Sequence, residues 1–428
     1  MYTFYEMLKD FLSTGHLHFF MLFFIYVWVR WGIVISQALR YKPYHKVHRS
    51  SAAVIIPVVD EPESVFRQVL TSISAEKPQQ IIVVINGPRN RALEKIASDY
   101  KRAQVIWTRK PGKRNAIRVG MRHVTADLTV LVDSDTIWTG NTLRELKKPF
   151  ADTSIGGVTT RQKILDDSQN LVTLFCSMME EIRAEGTMKA MSVHGKVGCL
   201  PGRTIAFRTA ILTDIMNEFM NEAFMGFHKE VSDDRSLTNL TLKLGYKTVM
   251  QDTSVVYTDA PLRWKKFIRQ QLRWAEGSQY NNLRMFKWYW HHAKLTGFIY
   301  FTDMLMPFVL VAVLGQAIHA QLSGLPTVAS LHNSLTLTLL VAVIGAAVNV
   351  SIRQLIPLMK RPIFLLYMPA FVIILTTLMV PIRLLGLAKC ADDLGWGTRK
   401  ASYGGAGTAT TKRTKAKEMG YVPESVPA

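Results

Sequence analysis

Four stretches of the chain are almost wholly apolar: 17–35, 295–319, 331–350 and 363–387. Between the first and second, short β-branched runs alternate with amphipathic segments. Residues 52–59 (AAVIIPVV), 80–84, 104–107 and 128–132 predict buried strands, while 63–74 and 92–100 predict helices. Residues 110–116 (KPGKRNA) predict a glycine turn that enters a helix. Further on, 171–191 predicts a helix, 197–208 a loop followed by a strand, and 234–243 a helix that opens on carboxylates. Strands alternating with helices at this spacing predict a doubly wound, mostly parallel α/β sheet. Ligands of such sheets sit beyond the carboxyl ends of strands, where Asn86, Asp133 and Asp135 fall.

The apolar runs predict a membrane part. At about 1.5 Å per residue, 17–35 nearly spans a bilayer core of about 30 Å, broken only by His18 and Arg30. No small-residue cleavage site follows, so an anchor is expected rather than a removed leader. Arg40, Lys42, Lys46 and Arg49 then mark the cytoplasmic side. Three full spans after a cytosolic domain would leave the basic tail outside, so one run is expected to re-enter or lie flat. The first suspect is 363–387, with Pro369, Pro381 and Arg383; the second is 295–319, with Asp303. Residues 261–292 interleave Trp264, Phe267, Trp274, Trp288 and Trp290 with Arg263, Lys265, Lys266, Arg269 and Arg273. That mixture suits lipid headgroups. It also suits single-stranded nucleic acid, but the adjoining apolar run favours lipid, and no nucleic-acid partner is expected. The expected plan is an amphipathic segment and anchor (1–37), a cytosolic catalytic domain (38–260), interfacial helices (261–294), membrane helices (295–388), a loop (389–400) and a basic disordered tail (401–428).

The 428 residues carry 52 Lys+Arg against 32 Asp+Glu, a net charge of +20. This excess points to an anionic partner such as acidic lipid, a diphosphate or an acidic polymer. Cys176, Cys199 and Cys390 are far apart and offer neither a disulfide framework nor a zinc site.

Candidate chemistry sits at the polar ends of these elements. Asp133 and Asp135, at a strand end, can hold a divalent cation that bridges a diphosphate. Lys113 and Arg114 are candidate diphosphate contacts, the alternative being a solvated turn. An acceptor hydroxyl attacks a sugar poorly until a base takes its proton, a step worth about 10²–10⁴-fold. Asp234 is the candidate base, with Asp233 and Arg235 shaping its field; the plainer alternative is a helix cap. Trp274 offers a sugar-stacking face, and Gln270 and Arg273 offer donors; an interfacial anchor is the alternative for Trp274.

The residues Gly112-Lys113-Arg114-Asn115-Ala116, Asp133-Ser134-Asp135-Thr136, Asp233-Asp234-Arg235, Gln270-x-x-Arg273-Trp274 and Trp396-Gly397-Thr398-Arg399 resemble the processive family 2 glycosyltransferases, which include the cellulose, chitin and hyaluronan synthases. The likeness is to the hyaluronan synthase branch and, within it, to synthases of the pneumococcal type 3 capsule. It covers almost the whole chain up to Arg399. The resemblance implies a GT-A fold joined to an α-helical transmembrane channel in the cell membrane, with the catalytic domain cytoplasmic. It implies UDP-sugar donors, Mg2+ or Mn2+, and a growing polysaccharide acceptor exported through the enzyme itself. Residue by residue it makes Asp135 the metal ligand, Asp133 the nucleotide-side acid and Asp234 the base. Gln270, Arg273 and Trp274 become the acceptor-side motif, and Trp396, Gly397, Thr398 and Arg399 a loop closing over the nucleotide. Two departures stand out: Asn86 replaces an acid at the end of the second strand, and Phe207 replaces a tyrosine before Arg208 in the acceptor-contact motif. The type 3 likeness implies alternating UDP-glucose and UDP-glucuronic acid. Arg203, Arg161 and Lys163 are the cations available for the acidic sugar. Rival expectations are a hyaluronan, chitin or glucan synthase, or a non-enzymatic membrane protein recruiting acidic lipid or polymer. The sequence leaves the oligomeric state open.

Overall fold

The structure, a computed structural model, describes residues 15–322 and 351–391. The expected segment at 1–14, the apolar run 331–350, the residues Trp396, Gly397, Thr398 and Arg399, and the basic tail lie outside the described residues.

The strands are β1 (Ala52–Val58), β2 (Gln80–Asn86), β3 (Ala103–Thr108), β4 (Leu128–Val132), β5 (Thr136–Trp138), β6 (Ile155–Ile164), β7 (Thr204–Arg208), the hairpin arms β8 (Ala223–Phe224) and β9 (Phe227–His228), and β10 (Lys247–Thr258). Eight of them form one sheet in the order β3-β2-β1-β4-β7-β6-β10-β5. Pairing is parallel except at β7, which runs against both neighbours, and at the edge strand β5. β1 and β2 lack polar alternation because both faces are covered. Val54, Ile56, Ile81 and Val83 enter one core, and Ile55, Ile82 and Val84 the other.

The apolar pattern predicts none of β5, β6 and β10. β6 carries Thr159–Lys163 in its second half, and β10 has Gln251, Asp252, Thr253 and Ser254 mid-strand. These side chains are tolerated because neighbours satisfy them. Thr159 Oγ1 donates to the Thr204 carbonyl (3.3 Å), Gln251 Nε2 to the Tyr44 carbonyl (2.8 Å) and Ser254 Oγ to the Thr142 carbonyl (2.8 Å).

The second core passes from the sheet through Phe175 and Met178 of the helix Leu171–Ile182. It continues to Val27 and Val34 of the helix Gly15–Ala38, Phe267 of the helix Trp264–His292, Ile299 of the helix Lys294–Leu322, and Phe371 and Ile382. Among the described residues two stretches, Lys294–Ala312 and Met368–Ala388, are long and apolar enough to cross a membrane. The segment named as the first suspect for re-entry has a 3₁₀ turn (Pro362–Leu365), then helix, a π-turn (Ile374–Met379) and helix again. The charges that interrupt two of the apolar runs are partners. Arg30 meets Asp303 Oδ1 at 2.5 Å and Thr302 Oγ1 at 2.7 Å.

At Gly156 in β6 an added Cβ would lie 2.7 Å from both Ile211 Cδ1 and Tyr246 Cβ and 2.8 Å from Thr241 Cγ2. Overpacking of this kind costs about 1–3 kcal/mol. Thermal unfolding in detergent should therefore show Gly156→Val clearly destabilised. Gly140→Ala, with nothing within 4 Å of the new carbon, should stay within about 0.5 kcal/mol of the parent.

Candidate active site

β4 ends at Val132, and Asp133 turns the chain: its N–H donates to the Arg203 carbonyl (3.1 Å), and its carbonyl accepts from Thr136 N–H (3.1 Å). Between the two aspartates, Ser134 Oγ donates to the buried Glu61 carboxylate at 2.5 Å. Burial, and then the negative charge of Asp133, push the Asp135 carboxyl up to about 6; Arg203 opposes this and Asp259 adds to it.

Gly112 precedes the helix Lys113–Met121 with φ +116°, a conformation that favours glycine. Its N–H donates to Asn86 Oδ1 (3.2 Å), while Asn86 Nδ2 donates to the Val58 carbonyl (3.0 Å). This seats Lys113 so that its ammonium lies 2.7 Å from Asp133 Oδ1 and 2.9 Å from Asp233 Oδ2. Burial pulls that ammonium's pKa down, but the two carboxylates outweigh it and leave the pKa above the ordinary lysine value. Lys113 therefore stays charged and joins the D-x-D turn to the second acidic pair.

That pair opens the helix Asp233–Lys243, after Ser232 in the left-handed region (φ +61°). The two neighbours titrate apart. Burial raises both, but the Lys113 charge holds Asp233 below the usual carboxylate value. Asp234 is raised by burial and then by Asp233, against Lys113 and the N–H groups of Arg235 (2.8 Å) and Gly202 (3.0 Å). One carboxylate is held as a fixed anion and its neighbour is made more basic, the pattern that separates acid–base roles.

Trp274, on the helix Trp264–His292, is 39% exposed, and the Arg203 guanidinium lies 5.8 Å from its ring centre. Arg203 Nη1 donates to Glu180 Oε1 (2.7 Å) and Gln162 Oε1 (3.0 Å). Arg273 and Gln270 share Trp274's helix and are half-buried; Arg273 Nε has no partner among the described residues. The structure thus gathers Lys113, Asp133, Asp135, Arg203, Asp233, Asp234 and Trp274.

Other expected contacts go elsewhere. Arg114 is an interior residue rather than a diphosphate contact: it is 2% exposed and donates to Glu222 (2.6 Å), Ser236 Oγ (3.0 Å) and the carbonyls of Phe219 (2.6 Å) and Val231 (3.2 Å). Phe207 is fully buried and pairs in register with Thr129; Arg208 pairs with Leu128 at the far end of β4 and donates to the carbonyls of Phe150, Asp152 and Ile155. Neither reaches the acids, because β7 runs antiparallel to β4. Asn86 braces the glycine turn instead of facing a base. Arg235 points toward the helices Trp264–His292 and Lys294–Leu322, donating to Asn282 Oδ1 (2.5 Å) and stacking 4.2 Å over Tyr300. Arg161 is taken by Glu181, Glu185 and Asp252. The residues that sequence reasoning missed are Glu61, Gln162 and Glu180. None sits in a motif, and only the fold brings them to the site.

Among the described residues no group of three His, Cys, Asp or Glu could hold a metal. Asp133 and Asp135 nonetheless fit a divalent cation of the Mg2+ type, which takes one or two carboxylates and completes its shell with substrate phosphates and water.

The fold and this site define a GT-A glycosyltransferase. The mannosyltransferase PcManGT of Pyrobaculum calidifontis, solved with GDP-Man and Mn2+, has the same fold at TM-score 0.58 and 17% identity, over 89% of this chain and 99% of that one. The profile of the glycosyltransferase-like family 2 matches residues 48–277, and the chain belongs to that family. It is similar to the hyaluronan synthase of Streptococcus pyogenes, 25% identical over 86% of this chain and 88% of that one. It is also similar to an N-acetylglucosaminyltransferase of Azorhizobium caulinodans, 29% identical over 53% and 59%.

Removing one partner of a buried ion pair costs about 3–5 kcal/mol, because the other charge is stranded. Lys113→Met should therefore lower the unfolding temperature and abolish transfer. Lys113→Arg, which keeps the charge, should retain most of the stability, as read by differential scanning fluorimetry.

Proposed function

We propose that this is a membrane-embedded processive β-glycosyltransferase that lengthens a polysaccharide from UDP-sugars and passes it out through its own helices. Its donors would be UDP-glucose and UDP-glucuronic acid in alternation, and its product an acidic capsule polymer like that made by the pneumococcal type 3 synthase it resembles. The observation that carries the transfer chemistry is the split between Asp233, held ionised by Lys113, and the more basic Asp234 beside it. Asp234 takes the proton of the acceptor hydroxyl as that oxygen bonds to the anomeric carbon and the sugar–phosphate bond breaks, releasing UDP. Trp274 stacks on the acceptor, and Gln270 and Arg273 donate toward it or toward the phosphates. Mg2+ or Mn2+ on Asp135 and Asp133 would stabilise charge on the leaving diphosphate.

We place the catalytic unit at 38–260 on the cytoplasmic side of the cell membrane, the interfacial helices at 261–294 and the lipid-embedded helices at 295–388. Arg40, Lys42, Lys46 and Arg49 support that orientation, and the two long apolar helices support the membrane part. The hyaluronan synthase and N-acetylglucosaminyltransferase relatives favour a second reading, in which N-acetylglucosamine is a donor sugar.

Purified protein given pairs of UDP-sugars, with the product sized by gel filtration, separates these. Polymer that needs both UDP-glucose and UDP-glucuronate supports the first reading, and polymer that needs UDP-N-acetylglucosamine the second. A complete absence of transfer leaves a lipid- or polymer-recruiting protein. Asp135→Asn and Asp234→Asn should each abolish transfer, with UDP binding nearly intact in Asp234→Asn; normal polymerisation by that variant rules out Asp234 as the base.

The base works only when deprotonated, so the rate is lost as pH falls through its pKa. Because that pKa is raised, the acid limb of the rate profile should lie above the ordinary aspartate value of about 3.9.

A further inference from the structure

We propose that Arg203 reads the carboxylate of an acidic donor sugar, and that Glu180, Gln162 and Arg183 form a socket that lets the same pocket accept a neutral sugar. This rests on the two-donor reading above and names the residue that would make it possible.

The backbone places Arg203 between the two acidic pairs. Its carbonyl accepts from Asp133 N–H (3.1 Å), and the preceding residue, Gly202, donates its N–H to Asp234 Oδ2 (3.0 Å). Its guanidinium lies 5.8 Å from the ring centre of the part-exposed Trp274. Only one corner of the guanidinium is engaged: Nη1 serves both Glu180 and Gln162, and no hydrogen-bond acceptor among the described residues meets Nη2 or Nε. Arg183 Nη2 binds the same two residues, Glu180 Oε2 and Gln162 Oε1 (2.9 Å to the latter). Two guanidinium groups thus share one carboxylate, and beyond it the Arg203 charge feels only the more distant fields of Asp135 and Asp133.

A uronic acid brings a carboxylate to the edge of Arg203 left unengaged by Glu180 and Gln162, and the planar fork of arginine fits a carboxylate through two parallel hydrogen bonds. With a neutral hexose in the pocket, Arg203 keeps Glu180 as counter-ion, so no buried cation is stranded. Arg161, the other arginine considered, is bound to three carboxylates and has no comparable vacancy.

The test uses full-length protein in detergent and acceptor oligosaccharides ending in each sugar, with glucuronate and glucose transfer measured separately. Arg203→Met should lower kcat/KM for UDP-glucuronate about 10- to 100-fold more than for UDP-glucose, the worth of a charge-assisted hydrogen-bond pair. Arg203→Lys should fall between, and it carries the test if the methionine variant fails to fold. Glu180→Gln, which removes the competing carboxylate, should lower KM for UDP-glucuronate. Calorimetric binding of the two nucleotide sugars gives the same comparison for any inactive variant. Equal losses on both donors, or a selective loss with Lys163→Met but not with Arg203→Met, would overturn the assignment of Arg203. If the parent protein transfers another sugar but neither uses nor binds UDP-glucuronate, the two-donor reading falls with it.

Discussion

The ammonium of Lys113, held between Asp133 and Asp233, is the interaction on which the site depends. It is 10% exposed and lies within 3 Å of a carboxylate from each of two separate elements. Four acidic side chains converge here, and in low dielectric their mutual repulsion would drive them apart or neutralise them. The buried cation holds Asp233 below the usual carboxylate value and pairs with Asp133. Burial, and then the charge of Asp233, in turn make Asp234 more basic. The turn that delivers Lys113 needs the left-handed Gly112 and the brace from Asn86, so a bond between two strand ends determines where the cation stands.

The helices that follow the sheet are part of this arrangement rather than an attachment to it. An added Cβ at Gly277 would come within 2.8 Å of Ser232, the residue that launches the acidic helix, and one at Gly386 within 2.5 Å of Ala275. The helix that presents Trp274 is therefore wedged between the acidic turn and an apolar helix long enough to cross a bilayer. Arg235 adds a polar link between the same parts through Asn282 and Tyr300.

Much of this was legible in the sequence, and for physical reasons. β1, β2 and β4 are buried on both faces, so their apolar runs stand out, and the residues after them land at the ligand end of the sheet. Asp133, Asp135, Asp233, Asp234 and Trp274 could be found because each belongs to a compact motif. β6 and β10 stayed hidden because their polar side chains are satisfied by distant carbonyls, and no local pattern records such partners. The same holds for Arg114. Beside a glycine turn it reads as a phosphate ligand, yet Glu222, more than a hundred residues away, draws it inward. Arg208 misled for a topological reason: a single reversed strand carries it to the opposite edge of the sheet. Arg30 and Asp303 each stood out as charges in apolar runs, but only the packed helices show that they satisfy one another.

The net charge of +20 says little about where cations matter, and the site shows why. Near the acids the arginines are mostly spoken for: Arg114 by Glu222, Arg161 by three carboxylates, Arg235 by an amide and a ring. A bound arginine contributes its field but has no free edge to offer a ligand. Arg203 differs because, among the described residues, only its Nη1 meets acceptors, and one of these, Glu180, is shared with Arg183. In the proposed function, an anion is therefore read by a free guanidinium edge beside Trp274 and not by the net charge of the chain.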